Sequence, residues 1–253
     1  MRIQVRFKHI FMRQWAVFTS FLTIALLPVL VLAQDAKPTV KAKAAPNPVF
    51  AKIKDDPKLP RVLLIGDSIS IGYTLDVRAL LKGKANVHRI PTNGGPTTNG
   101  LKNLKTWLGD GKWDVIHFNW GLHDVVYMGP DGARAVDPKT SGSKHQVPLD
   151  EYEKGLRELV KQLKATRATL IWCATTPVPS DSKGRLPGDE IKFNEAAARI
   201  MKAEKIATND LYAHSLKGPT DGQLPANVHY SKEGSAYLAQ QVAKSIETAL
   251  KGR

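Results

Sequence analysis

The chain has 253 residues, 42% of them hydrophobic and 24% charged, a balance that excludes a disordered or wholly membrane-embedded protein and leaves room for one catalytic-size domain. One cysteine, Cys173, excludes an intrachain disulfide framework and a multi-cysteine metal site. The net charge of +14 is unevenly spread: residues 61–253 carry 27 basic and 20 acidic side chains, so the folded part is only moderately basic. No Lys/Arg cluster with interleaved aromatics and no zinc-finger or RNA-binding motif is present, which argues against a nucleic-acid partner.

In chain order, residues 1–33 come first. Arg2, Arg6, Lys8 and Arg13 precede an apolar run from Trp15 to Ala33, with Val31 and Ala33 at the small-residue positions of a cleavage site. This pattern predicts a signal peptide cut near Ala33 and export to the periplasm or beyond, with membrane association only if the segment is retained. Residues 34–60, rich in Lys, Ala and Pro with no apolar period, are expected to form a flexible tether.

From residue 61 short apolar runs alternate with helical patterns. Strands are expected at 61–66, 85–90, 114–119, 168–174 and 206–208, and helices near 70–82, 98–108, 149–165, 188–204 and 232–250. Such alternation predicts a parallel sheet with helices on both faces, a three-layer α/β/α domain over 61–253.

Ligands of such sheets bind beyond the carboxyl ends of the strands. Three strands end in polar, glycine-containing segments: Gly66-Asp67-Ser68, Asn93-Gly94-Gly95-Pro96-Thr97-Thr98, and Gly121-Leu122-His123-Asp124. The fourth runs into a long Pro/Gly-rich loop, of the sort that carries function on a rigid scaffold. A serine nucleophile needs a base, and His229 lies late in the chain, just ahead of a helix start at Ser231.

These four ordered blocks resemble the SGNH or GDSL hydrolases, and the likeness spans roughly 61–245. The resemblance implies a flavodoxin-like fold and esterase activity with no cofactor and no metal. It makes Ser68 the nucleophile, His229 the base, and the N–H groups of Ser68 and Gly95 the oxyanion donors, with Gly94 as the other choice. Two positions depart from the pattern. His123 stands where an asparagine usually donates to the oxyanion, a role that neutral imidazole can fill in one tautomer. Ala226 stands where an aspartate usually orients the histidine, which leaves Asn227, a backbone carbonyl or Asp221 for that task. A Ser68–His229 dyad with Asn227 as the orienting group is the favoured arrangement.

Asp67 and Asp124 are read as acceptors for backbone N–H groups at the turns rather than as metal ligands. Among aromatics beside the strand ends, Trp172 belongs to the core, while Tyr127 is the expected substrate contact. The substrate class expected is a carbohydrate O-acetyl ester. The alternatives are a longer-chain lysophospholipase or thioesterase and a catalytically impaired carbohydrate-binding relative.

Overall fold

The computed structural model describes residues 47–252. The expected signal segment and the first part of the expected tether lie outside them. Five parallel strands form the sheet: β1 (Arg61–Ile65), β2 (Asn86–Arg89), β3 (Val115–Phe118), β6 (Thr169–Cys173) and β7 (Ala207–Asn209), in the order β2-β1-β3-β6-β7. The five helical patterns appear as α1 (Ser68–Leu80), α2 (Thr97–Leu108), α3 (Leu149–Ala165), α4 (Asp189–Glu204) and α6 (Lys232–Lys251), and a short α5 (Leu211–Ser215) follows β7.

Alternation along the strands builds the layers, because successive side chains leave opposite faces. Leu63, Ile65, Ile116, Phe118 and Trp172 pack against the buried faces of α2, α3 and α4. Val62, Leu64, Val115, Ile171 and Cys173 pack against α1 and α6. Central strands buried on both faces read as continuous apolar runs, which is why β1, β3 and β6 are plain in the sequence.

Two features differ from expectation. Residues 47–60 are docked on the domain rather than forming a free tether. Val49 is buried, the Arg89 guanidinium lies 5.2 Å from the Phe50 ring centroid, and Asp55 accepts from Arg61 Nε at 2.8 Å. The Asn86 amide completes the dock, accepting from the Asp56 N–H and donating to the Asp56 and Leu59 carbonyls, each at 2.9 Å. A Lys/Pro-rich composition hid these few anchors. The second feature is a small antiparallel ribbon of β4 (Tyr127–Met128) and β5 (Lys144–His145) between β3 and α3. Two-residue strands carry no readable period.

Candidate active site

All the polar blocks meet at the carboxyl edge of the sheet. At the end of β1 the chain turns into α1, and Asp67 caps the helix by accepting the Ile69 N–H at 2.9 Å. Ser68 is therefore the first helical residue, where the N–H has no intrahelical partner and the helix dipole is positive. Among the described residues, the Ser68 N–H meets no acceptor.

The second loop is stitched to the first. The Gly94 N–H donates to the Gly66 carbonyl at 2.9 Å, and the buried Arg89 reaches the Gly66 and Thr92 carbonyls and Ser70 Oγ at 3.2–3.3 Å. Burial pushes the Arg89 pKa down to about 10; Nε and Nη2 reach four acceptors, while the buried Nη1 meets none among the described residues. Arg89 is a positioning residue that sequence reading missed, since it sits inside an apolar strand pattern.

Of the two candidate glycines, Gly94 spends its N–H on Gly66. Gly95, at φ +62°, donates its own to Asn93 Oδ1 at 2.9 Å, so neither N–H stands open. The Gly95 partner is a half-buried side chain able to swing away, whereas the Gly94 partner is fixed main chain.

The third block turns sharply after Trp120. A Cβ on Gly121 would lie 2.1 Å from Thr175 Oγ1, so glycine is required where the β3 and β6 ends converge. Asn119 bonds the same two ends, donating to the Cys173 carbonyl at 2.7 Å. Asp124 is wholly buried and accepts from both the N–H and the hydroxyl of Thr97, at 2.9 and 2.6 Å. Asp67 and Asp124 thus hold turns together, as their sequence context suggested. Burial lifts the Asp124 pKa to about 7.

His123 lies with its Nδ1 at 3.3 Å from Arg134 Nη2. A guanidinium only donates, so Nδ1 is the acceptor and Nε2 carries the proton. Burial, together with Arg134, Arg185 and His229, lowers the His123 pKa against the opposing charge of Asp67 and so favours the neutral ring. The substituted histidine therefore has one N–H to offer.

His229 is held by a tight turn. The Asn227 N–H donates to the Leu224 carbonyl, and Leu224 and His229 are bonded back to each other at 2.9 Å, with Val228 buried beneath. His229 Nε2 is 2.8 Å from Ser68 Oγ, and Nδ1 is 2.7 Å from Asn227 Oδ1. The same Oδ1 accepts the His229 backbone N–H at 3.1 Å. A backbone N–H is an unambiguous donor, so the atom it meets must be the amide oxygen, not its nitrogen. Nδ1 then carries the hydrogen and Nε2 presents a lone pair to the serine hydroxyl.

Ala226, at the position of the expected aspartate, takes φ +52° to make this turn. Asp221 makes no contact with the imidazole among the described residues.

A cleft of about 400 Å³ opens over this pair, lined by Ser68, Asn93, His123, His229 and cationic side chains from two loops. Tyr127 is not among its lining residues. Its hydroxyl donates to Asp189 Oδ2 at 3.0 Å and its ring packs edge-on against His145, so the expected substrate contact is a structural staple. Trp120 and Trp172 are buried. The cations of the cleft, Arg134, Lys183 and Arg185, were not singled out by sequence because they are far apart in the chain and in irregular loops.

A three-layer α/β/α domain with a parallel sheet of flavodoxin-like order thus carries the Ser68–His229–Asn227 hydrogen-bond chain over its carboxyl edge. No family model matches the chain, and no curated protein does. Solved structures do. An acetyl xylan esterase, AlAXEase, matches with a TM-score of 0.58 at 15% identity, covering 74% of this chain and 99% of that one. A lipase/acylhydrolase from Enterococcus faecalis matches at 0.61 and 18%, covering 75% and 96%. Axe2, an acetylxylan esterase from Geobacillus stearothermophilus, matches at 0.58 and 22%, covering 74% and 94%. The chain has the fold of the SGNH, or GDSL, hydrolases.

Proposed function

We propose that this protein is an exported serine esterase that removes small acyl groups, acetyl above all, from carbohydrate. The observation that carries the reading is the relay Ser68 Oγ–His229 Nε2–Asn227 Oδ1, with links of 2.8 and 2.7 Å and a proton arrangement fixed by the His229 main chain. Its neighbours of known structure include acetyl xylan esterases, and one of these structures is a catalytic mutant of Axe2 carrying a serine-to-alanine change.

In this mechanism Ser68 Oγ attacks the acyl carbon while His229 Nε2 takes its proton, and Asn227 holds the ring through Nδ1–H. The oxyanion is met by the Ser68 N–H at the positive end of α1 and by His123 Nε2–H. The Gly95 N–H joins them when the Asn93 side chain releases it. The alcohol leaves with the proton from His229, and water then frees the acyl group by the same steps in reverse. A cleft lined by few apolar side chains, Leu122 and Val228 among them, suits a short acyl group and a polar alcohol better than a long chain. Export rests on the basic start and apolar run of residues 1–33.

The test is hydrolysis of p-nitrophenyl esters by wild-type and Ser68→Ala protein. The reading expects Ser68-dependent turnover with acetate far ahead of octanoate. Octanoate preference would turn it towards a lysophospholipase or thioesterase, and unchanged activity in Ser68→Ala would overturn it. An N-terminus beginning at Gln34 in the mature protein would support export.

A further inference from the structure

Arg134, Lys183 and Arg185 all line the cleft that contains Ser68 and His229, and no carboxylate does. Arg134 donates to Gln146 Oε1 at 3.2 Å and to the His123 ring, both neutral groups. Arg185 uses only Nε, on the Leu122 carbonyl at 2.8 Å, and its terminal nitrogens meet no acceptor among the described residues. Lys183 is exposed and likewise has none. Asp67, the carboxylate whose charge acts on Arg185, is buried and committed to capping α1. Three positive charges thus face one cleft without a counter-charge of their own. Burial and the neighbouring Arg134 push the Arg185 pKa down to about 10, a sign of how poorly its charge is balanced.

The cations are held in place by an interlock. The Gly184 carbonyl accepts the Tyr127 N–H at 2.8 Å, and Gly184, at φ +66°, packs so closely that a Cβ would lie 2.2 Å from Ala135 Cα. Ala135 itself takes φ +60°. The loop after β6, bearing Lys183 and Arg185, is therefore locked against the ribbon loop that bears Arg134. Asp189 secures the same joint, bonded by Tyr127, His145 and Lys192 at 2.9–3.0 Å. Unpaired like charges repel, and a fold gains nothing by clasping them together. A guanidinium with free terminal N–H groups matches the two oxygens of a carboxylate.

We infer that the ester this cleft accepts is borne on an acidic carbohydrate, with a sugar carboxylate seated between Arg134, Lys183 and Arg185. The inference rests on the esterase reading for its substrate role and adds to it the charge of the alcohol portion. It also makes these three side chains specificity determinants rather than catalytic groups.

The test is calorimetric titration of Ser68→Ala protein with oligogalacturonate and with a neutral xylo-oligosaccharide of equal length. Oligogalacturonate is expected to bind at least about tenfold more tightly, as one charge-assisted contact would give. The preference should shrink in high salt and be lost when Arg134→Gln and Lys183→Gln are combined in the same protein; both side chains are exposed, so the fold tolerates the changes. Equal binding of the two sugars, or oligogalacturonate binding that salt and the double substitution leave untouched, would overturn the inference. Wild-type turnover of p-nitrophenyl acetate is measured alongside. Turnover without anion preference defeats this inference alone, and anion preference without turnover defeats the esterase reading alone.

Discussion

Asn227 meets Nδ1 of the His229 ring, and replacing it tests what a neutral amide does there. In Asn227→Ala the His229 ring loses its 2.7 Å bond at Nδ1 and the main-chain N–H loses its acceptor. A neutral hydrogen bond is worth about 1 kcal/mol net, and a ring free to rotate or change tautomer costs more, so kcat/KM should fall by roughly tenfold to a hundredfold. Asn227→Asp separates orientation from charge. The carboxylate can accept the same two N–H groups and adds a negative charge beside the imidazole, which favours its protonated form. The acidic limb of the pH–rate profile should then move to higher pH, with kcat/KM on the alkaline side equal to or above wild type. Initial rates on p-nitrophenyl acetate from pH 5 to 9 read both effects. An Asn227→Ala rate within twofold of wild type, with no displacement of the acidic limb in Asn227→Asp, would refute the relay.

Two further outcomes follow from the packing. Gly184→Ala drives a Cβ to within 2.2 Å of Ala135 Cα, so a thermal melt should show destabilisation of about 1–3 kcal/mol; an unchanged melt would contradict the interlock. Ala226→Gly relieves the left-handed strain at φ +52° and should gain about 0.5 kcal/mol after the added flexibility of the unfolded chain is offset; chemical denaturation reads it, and a loss would show that the turn is not strained.

Two buried groups oppose each other in acid. Burial pushes the His117 pKa from 6.5 down to about 3, so the unfolded state takes up the proton first and stability falls as pH drops below 6.5, by up to about 1.4 kcal/mol per pH unit. Asp124 has the reverse sign: raised from 3.8 to about 7, its contribution is full below 3.8 and is lost as pH rises through 7. Asp124→Asn should therefore show a steeper loss of stability than wild type between pH 6.5 and 4 in denaturant titrations, and parallel curves would count against the assignment.

The layers were legible because β1, β3 and β6 are continuous apolar runs and α3 and α6 show clear amphipathic stripes. The approach of Ser68 and His229 was legible because each sits in a short polar block at an element boundary. Tyr127 misled because an aromatic beside a polar block says nothing of where its ring turns, and here the ring is drawn to Asp189 and His145. The dock of 47–60 depends on Asn86, thirty residues beyond Asp56, and the cationic wall depends on Arg134 meeting Lys183 and Arg185 across two irregular loops. Contacts of that kind leave no local period. The fate of the Gly95 N–H is likewise decided by the Asn93 rotamer and not by residue type.

In the proposed mechanism Ser68 is a nucleophile activated by His229. Labelling of the folded protein with a fluorophosphonate, read by intact mass, tests it most directly. One adduct per chain is expected on wild type, located at Ser68 by peptide mapping, and none on Ser68→Ala or on His229→Ala over the same time. Folded wild-type protein that takes up no label, or label that persists in Ser68→Ala, would contradict it.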